Sequence, residues 1–168
     1  MAERDPDITI EHPNREKAAS KATKAAVLLL LLATAVLVAI VTIGGWDALE
    51  GAKLLQIGYI LLYLVIAFFV ARWNRGVLPV AAALAIILGI FAVIAGPQWF
   101  QRDKDGFSTP ESAFGATGLD AATLRTVTLL LVPLQVLLIF FSMQAFRQDW
   151  HVEVERPVGR LDRGAHTA

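Results

Sequence analysis

The sequence predicts an all-α fold, a polytopic membrane protein built as a four-transmembrane-helix bundle, and three observations carry that prediction. Four apolar runs, at about residues 25–45, 54–71, 77–96 and 124–146, each approach or exceed the roughly 20 residues that a helix needs to cross a bilayer core. All 30 Asp, Glu, Lys and Arg residues fall in tails, connections or span ends. In the third run Ala82, Ala85, Gly89, Ala92 and Gly96 recur at steps of three and four, which lines the smallest side chains along one helical face.

Composition agrees. The 168 residues are 56% hydrophobic with a mean hydropathy of +0.58, above the roughly 45–50% of an ordinary soluble domain. Fifteen basic residues balance fifteen acidic ones, which gives no electrostatic case for nucleic acid as a partner. The absence of cysteine excludes disulfides, thiolate nucleophiles and cysteine-ligated metals. Ten Arg against five Lys, with abundant Ala, would suit a GC-rich bacterial genome.

Residues 1–24 read as a polar tail, acidic first and basic last. Its distal part is expected to be poorly ordered, and Lys17, Lys21 and Lys24 sit beside the first span as a cytoplasmic flank would. Residues 25–45 form that span and are expected to act as an uncleaved signal anchor, since the run exceeds a usual signal-peptide core and IGGWDALE offers no small-x-small cleavage site. Its 12 Leu, Ile and Val residues between Val27 and Ile43 bound the insertion free energy at about −4 to −7 kcal/mol.

Trp46 marks an interface, and Asp47 is placed to cap a helix beginning near Ala48. The second span, 54–71, carries Gln56, Tyr59 and Tyr63 on one face. Arg72, Trp73 and Arg75 end it as a basic interfacial turn. The third span, 77–96, holds the small-residue face, which in lipid is what lets two backbones approach closely; Leu88 falls off that stripe. Residues 97–123 read as one long external loop starting at Pro97. The fourth span, 124–146, contains Pro133, expected to bend it, and a seam of Thr128, Gln135 and Ser142 spaced by seven. Residues 147–168 form a second cytoplasmic tail that is expected to fray, although its Val-Glu alternation at 152–155 matches a short strand.

Orientation follows from the basic residues. Eleven lie in the two tails and the 72–76 turn, against four on the other side, which places both termini in the cytoplasm of a multi-pass cell-membrane protein.

Chemistry is bounded mainly by what is missing. Transporters that couple to ions expose a charged group at mid-membrane depth, and none of the four runs offers one. His12, His151 and His166 all lie in tails, so no cofactor or metal site is expected within the spans. Asp103, Asp105 and Gly106 resemble part of a calcium loop, but Gln101 and Ser112 occupy the first and twelfth ligand positions, where the motif fails. Asp103, Asp105, Glu111 and Asp120, with Ser108 or Ser112, have no histidine beside them to activate a nucleophile. No catalytic residues are assigned, and no motif ties the chain to a known family. The expected role is that of a non-enzymatic accessory, assembly or scaffold subunit whose partners are the lipid bilayer and other membrane proteins or a second copy. The alternative is a small homo-oligomeric transporter or channel for a neutral or lipidic substrate, using the polar groups on spans two and four.

Overall fold

A computed structural model describes residues 8–102 and 108–157. Of the described residues 77% are helical, and four of the helices are long and apolar enough to span a membrane. In order the elements are strand β1 (Ile8–Glu11), a one-turn helix α1 (Pro13–Glu16), the long helices α2 (Ala18–Gly44), α3 (Ala52–Ala71), α4 (Leu78–Arg102) and α5 (Ala121–Phe146), and strand β2 (Val154–Pro157). Only between 28% and 39% of the apolar window of each long helix is buried. Exposed Leu29, Leu61, Ile90 and Phe140 belong to a surface that a bilayer covers and water would not.

Helix α5 is the organising element of the packing. Its buried residues, Leu124, Thr128, Leu131, Gln135, Leu138, Ser142 and Ala145, alternate steps of four and three, the seam of a left-handed helix pair. The polar residues spaced by seven thus form one half of a heptad whose other half is mainly leucine. Helix α5 packs against α2 on one side and α4 on the other, and α2 packs against α3. On α4 the small face meets α5. A Cβ built on Gly89 would stand 3.5 Å from Gln135 Cβ, and one on Gly96 only 2.5 Å from Leu129 Cδ2. Ala82, Ala85, Ala92 and Gly96 are buried, and Gly89 is half-buried. Leu88, expected off this face, is itself buried at 7% exposure, because a helix hemmed in by neighbours hides more than one narrow stripe.

Two stretches differ from the sequence expectation. Helix α4 continues through Pro97 to Arg102, so the connection to α5 does not start at Pro97. Proline clashes with the Cβ of the residue before it, and here that residue is Gly96, which has none. Only one helical hydrogen bond is lost, and the helix tolerates it. The tails also differ. β1 and β2 pair antiparallel, Ile8 opposite Pro157 and Glu11 opposite Val154, so an N-terminal segment expected to be loose holds a C-terminal one expected to fray. Both tails therefore lie at one end of the bundle, with the α3–α4 turn. This is the terminal end; the opposite one is the loop end.

At the terminal end Trp150 is fully buried, and its ring meets that of Trp73 edge-on at 5.1 Å. Trp73 adopts a left-handed φ of 62°, a strained conformation for a bulky residue, and the surrounding contacts hold it there. Lys24 Nζ lies 4.0 Å over the Trp73 ring and donates to the Ala71 carbonyl at 2.7 Å, and the Arg15 guanidinium donates to the Trp150 carbonyl at 3.0 Å.

At the loop end residues 108–120 fold back onto α2. The Ala113 and Leu119 amides donate to the Ile43 and Gly44 carbonyls, at 3.0 and 2.9 Å, groups that a helix end otherwise leaves unpaired. Asp47 caps no helix with its side chain; its amide donates to the Glu111 carbonyl at 3.2 Å. Gly118 permits this docking, since a Cβ there would lie 2.1 Å from the Gly44 carbonyl oxygen.

Candidate functional site

The polar residues singled out on spans two and four separate into two groups. The first is a buried chain at the middle of the bundle. Tyr63 Oη donates to Gln135 Oε1 at 2.9 Å, and Gln135 Nε2 donates to Thr34 Oγ1 at 3.1 Å, which links α3, α5 and α2. All three residues are buried. Thr34 was not among the residues expected from sequence. Its signal was weak: a lone hydroxyl in an aliphatic run, with Thr42 as the only other polar residue of that span.

The second group lies toward the loop end, where α3 and α4 stand apart. The first buried residue of α3 is Tyr59; nothing in its preceding turns is buried. A cleft of about 440 Å³ fills the gap, within the roughly 300–1,000 Å³ range of small-molecule sites. Helices α2 and α5 form its back wall through Val38, Val41, Thr128 and Leu131. Along α4 it runs from Leu88 to Arg102, about 21 Å at 1.5 Å per residue, from the middle of the bundle to its loop end. Gln56 and Tyr59 line it on the α3 side.

The hydrogen bonding of this second group is incomplete. Thr42 has one proton and two acceptors in reach, the Val38 carbonyl at 2.7 Å and Gln56 Oε1 at 2.6 Å. The conflict disappears when the Gln56 amide turns over and donates from Nε2 to Thr42, which leaves its oxygen unpaired. Thr128 Oγ1 is buried without a hydrogen-bond partner, and the Thr128 side chain is 4% exposed. A helical threonine commonly satisfies itself on the carbonyl four residues back, and Thr128 does not. Ser142 Oγ is also buried and unpartnered, but it lies two turns beyond Gln135 toward the terminal end and outside the cleft.

Among the described residues no three His, Cys, Asp or Glu side chains converge as a metal site would require. Asp103, Asp105 and Gly106 lie outside the described residues, as does His166. Of the remaining loop candidates, Asp120, Ser112 and Glu111 have structural contacts. Asp120 caps α5, accepting from the Thr123 amide at 2.9 Å and its hydroxyl at 2.7 Å, and these bonds hold its carboxyl below the usual range. Ser112 Oγ accepts from the Ala116 amide at 3.2 Å, and the Glu111 backbone bridges Thr117.

No family model matches this chain, and no curated protein or solved structure is significantly similar to it.

Proposed function

We propose that this protein acts by binding rather than by catalysis, as a multi-pass protein of a bacterial cell membrane with both termini in the cytoplasm, and that it holds a lipidic molecule in the α3–α4 cleft. One observation carries the reading: the cleft lies between α3 and α4, two helices whose outer surfaces are apolar, so we take its contents to arrive from the bilayer. The excess of basic residues in the tails and the 72–76 turn supports the orientation. The unpartnered hydroxyl of Thr128 supports an occupant, because a buried polar group without a partner is costly and uncommon.

Purification in mild detergent followed by lipid extraction and mass spectrometry tests the reading. Wild-type protein should carry a defined lipidic species, and Ala95→Phe, which fills the cleft from α4, should lose it while keeping its helicity. Identical lipid content in both proteins would end the proposal.

Gly58 favours a second reading, the accessory or assembly subunit. It lies inside α3 with nothing within 4 Å of a Cβ built on it, so packing within the chain does not call for a glycine there. Glycine in a helix interior costs about 1 kcal/mol, which close approach of a partner helix would offset. Under this reading Gly58→Leu abolishes a specific crosslink in native membranes, and a crosslinking pattern unchanged by the substitution removes it.

A further inference from the structure

On the reading that the cleft holds a lipidic molecule, we propose that the ligand is a neutral ring-headed lipid of the quinone type, inserted head first, with its carbonyl oxygen between Thr128 and Tyr59 and its chain leaving between α3 and α4.

Charge decides the class of head. Among the described residues lining the cleft only Arg102 is charged, and it stands at the loop-end mouth, its guanidinium 6.0 Å from the Trp99 ring. The inner part offers Thr128, Tyr59 and Gln56, all uncharged. A phosphate or carboxylate there would lose its hydration with no cation to replace it. A neutral carbonyl needs only donors, and two hydroxyls are available. Thr128 Oγ1 is buried and unpartnered, and the Tyr59 hydroxyl makes no hydrogen bond among the described residues.

Depth separates a ring head from the other common source of carbonyls in a membrane, the acyl esters of glycerolipids. Thr128 is seven residues into α5, about 10 Å below the loop end of that helix, and Tyr59, one turn before the Tyr63 that bonds Gln135, lies about one turn deeper still. Glycerolipid esters sit just beneath their headgroups, at the interface, and do not reach this level. A head that sinks into the hydrocarbon does. The walls fit a flat ring as well. Tyr59, Phe91 and Trp99 line the cleft, with the Tyr59 and Phe91 rings meeting edge-on at 6.5 Å.

The proposal carries an internal check, because Thr128→Val should move two measurements in opposite directions. Valine keeps the shape and deletes the hydroxyl. The ligand-free protein should melt at a higher temperature, since an unpaired buried polar group is removed. Binding should weaken by about three- to tenfold, the worth of one hydrogen bond.

The experiment uses the full chain in phosphatidylcholine nanodiscs, with a decyl-substituted benzoquinone as probe and quenching of tryptophan fluorescence as readout, Trp99 being the tryptophan in the cleft. Saturable quenching is expected, weakened in Thr128→Val and Tyr59→Phe and abolished in Ala95→Phe. If Ala95→Phe abolishes binding but Thr128→Val and Tyr59→Phe leave the dissociation constant unchanged, the head-first assignment is overturned and the lipid-binding reading survives. Displacement of the quinone by diacylglycerol at equal potency would also overturn it, in favour of an acyl ester. If neither probe binds saturably and Ala95→Phe matches wild type throughout, both the assignment and the reading beneath it fall.

Discussion

At the terminal end α3 and α4 are joined by a short turn and clamped by Trp73, Trp150 and the paired tails, whereas at the loop end the same two helices stand apart around a cleft. The difference lies in which face α4 turns to which neighbour. Gly89 and Gly96 both face α5, so backbone approach is reserved for that pair. Toward α3 the helix offers Phe91, Ile94 and Gln98, side chains that hold a neighbour off. Without a hydrophobic drive between helices in lipid, a pair that lacks small residues has little reason to close. The closed half is therefore a packed support, and the open half is where a ligand fits.

The sharpest way to break this contrast is to remove the clamp. Trp150 is the largest fully buried side chain, and Trp150→Ala should cost about 3–5 kcal/mol of stability, as for large aromatic truncations elsewhere. Denaturation in detergent would read the loss, and proteolysis should show both tails released together. A loss below about 1 kcal/mol, against that same scale, would mean that the tails decorate the bundle without holding it.

Next comes the boundary between the halves, where Gly89 meets Gln135. The 3.5 Å available to a Cβ is ordinary contact, so Gly89→Ala should be accepted. Gly89→Leu should cost about 1–3 kcal/mol through overpacking. Ile90, 53% exposed, supplies the control, and Ile90→Leu should be neutral. Equal thermal stability of Gly89→Leu and Ile90→Leu would show that α4 and α5 do not depend on this approach.

A smaller effect is expected from the buried hydrogen-bonded chain at the middle of the bundle. Gln135→Leu removes both bonds, to Tyr63 and Thr34, and interhelical hydrogen bonds in membranes average about 0.6 kcal/mol with a maximum near 1.7. A total of about 1–2 kcal/mol is expected, with the fold retained. Loss of ligand binding without loss of stability would move Gln135 from the support into the site.

Much of the closed architecture is legible in the sequence, because it is local and periodic. Thr128, Gln135 and Ser142 at steps of seven mark the seam of α5, and the small residues mark the face that α4 gives to it. Contacts between distant segments are not legible in this way. Tyr63 and Gln135 are 72 residues apart, and the strand at 8–11 finds its partner at 154–157 through no feature of either segment alone. The cleft was hidden for a different reason. A helix face that meets lipid and one that meets another helix are both apolar, so hydropathy along α3 reads the same whether α4 is near or far. Its traces were Gln56, Tyr59 and Thr128, polar groups that look like any interhelical set until one asks what they touch.

The smallest expected effect concerns the loop end alone and depends on pH. Asp120 accepts from the amide and hydroxyl of Thr123 at the start of α5, and these bonds, with its other backbone hydrogen bonds, outweigh a small opposing effect of burial and hold its carboxyl below the ordinary value of 3.8. A carboxylate whose folded value is depressed adds stability that is fully present above its unfolded value and is lost as pH falls through the folded one. Asp120→Asn keeps the cap, since asparagine accepts from the same amide, but removes the charge beside the helix N-terminus. The melting temperature of wild type should therefore exceed that of Asp120→Asn at neutral pH, and the gap should narrow below about pH 4, where free carboxylates take up protons. Hydrogen exchange should place the loss in the first turns of α5, beside the cleft, with the tails and Trp150 unaffected. A gap that stays constant with pH would show that the charge contributes nothing at this end. A loss spread equally over both ends would show that the bundle melts as one unit, and the division between a clamped half and an open half would not extend to its stability.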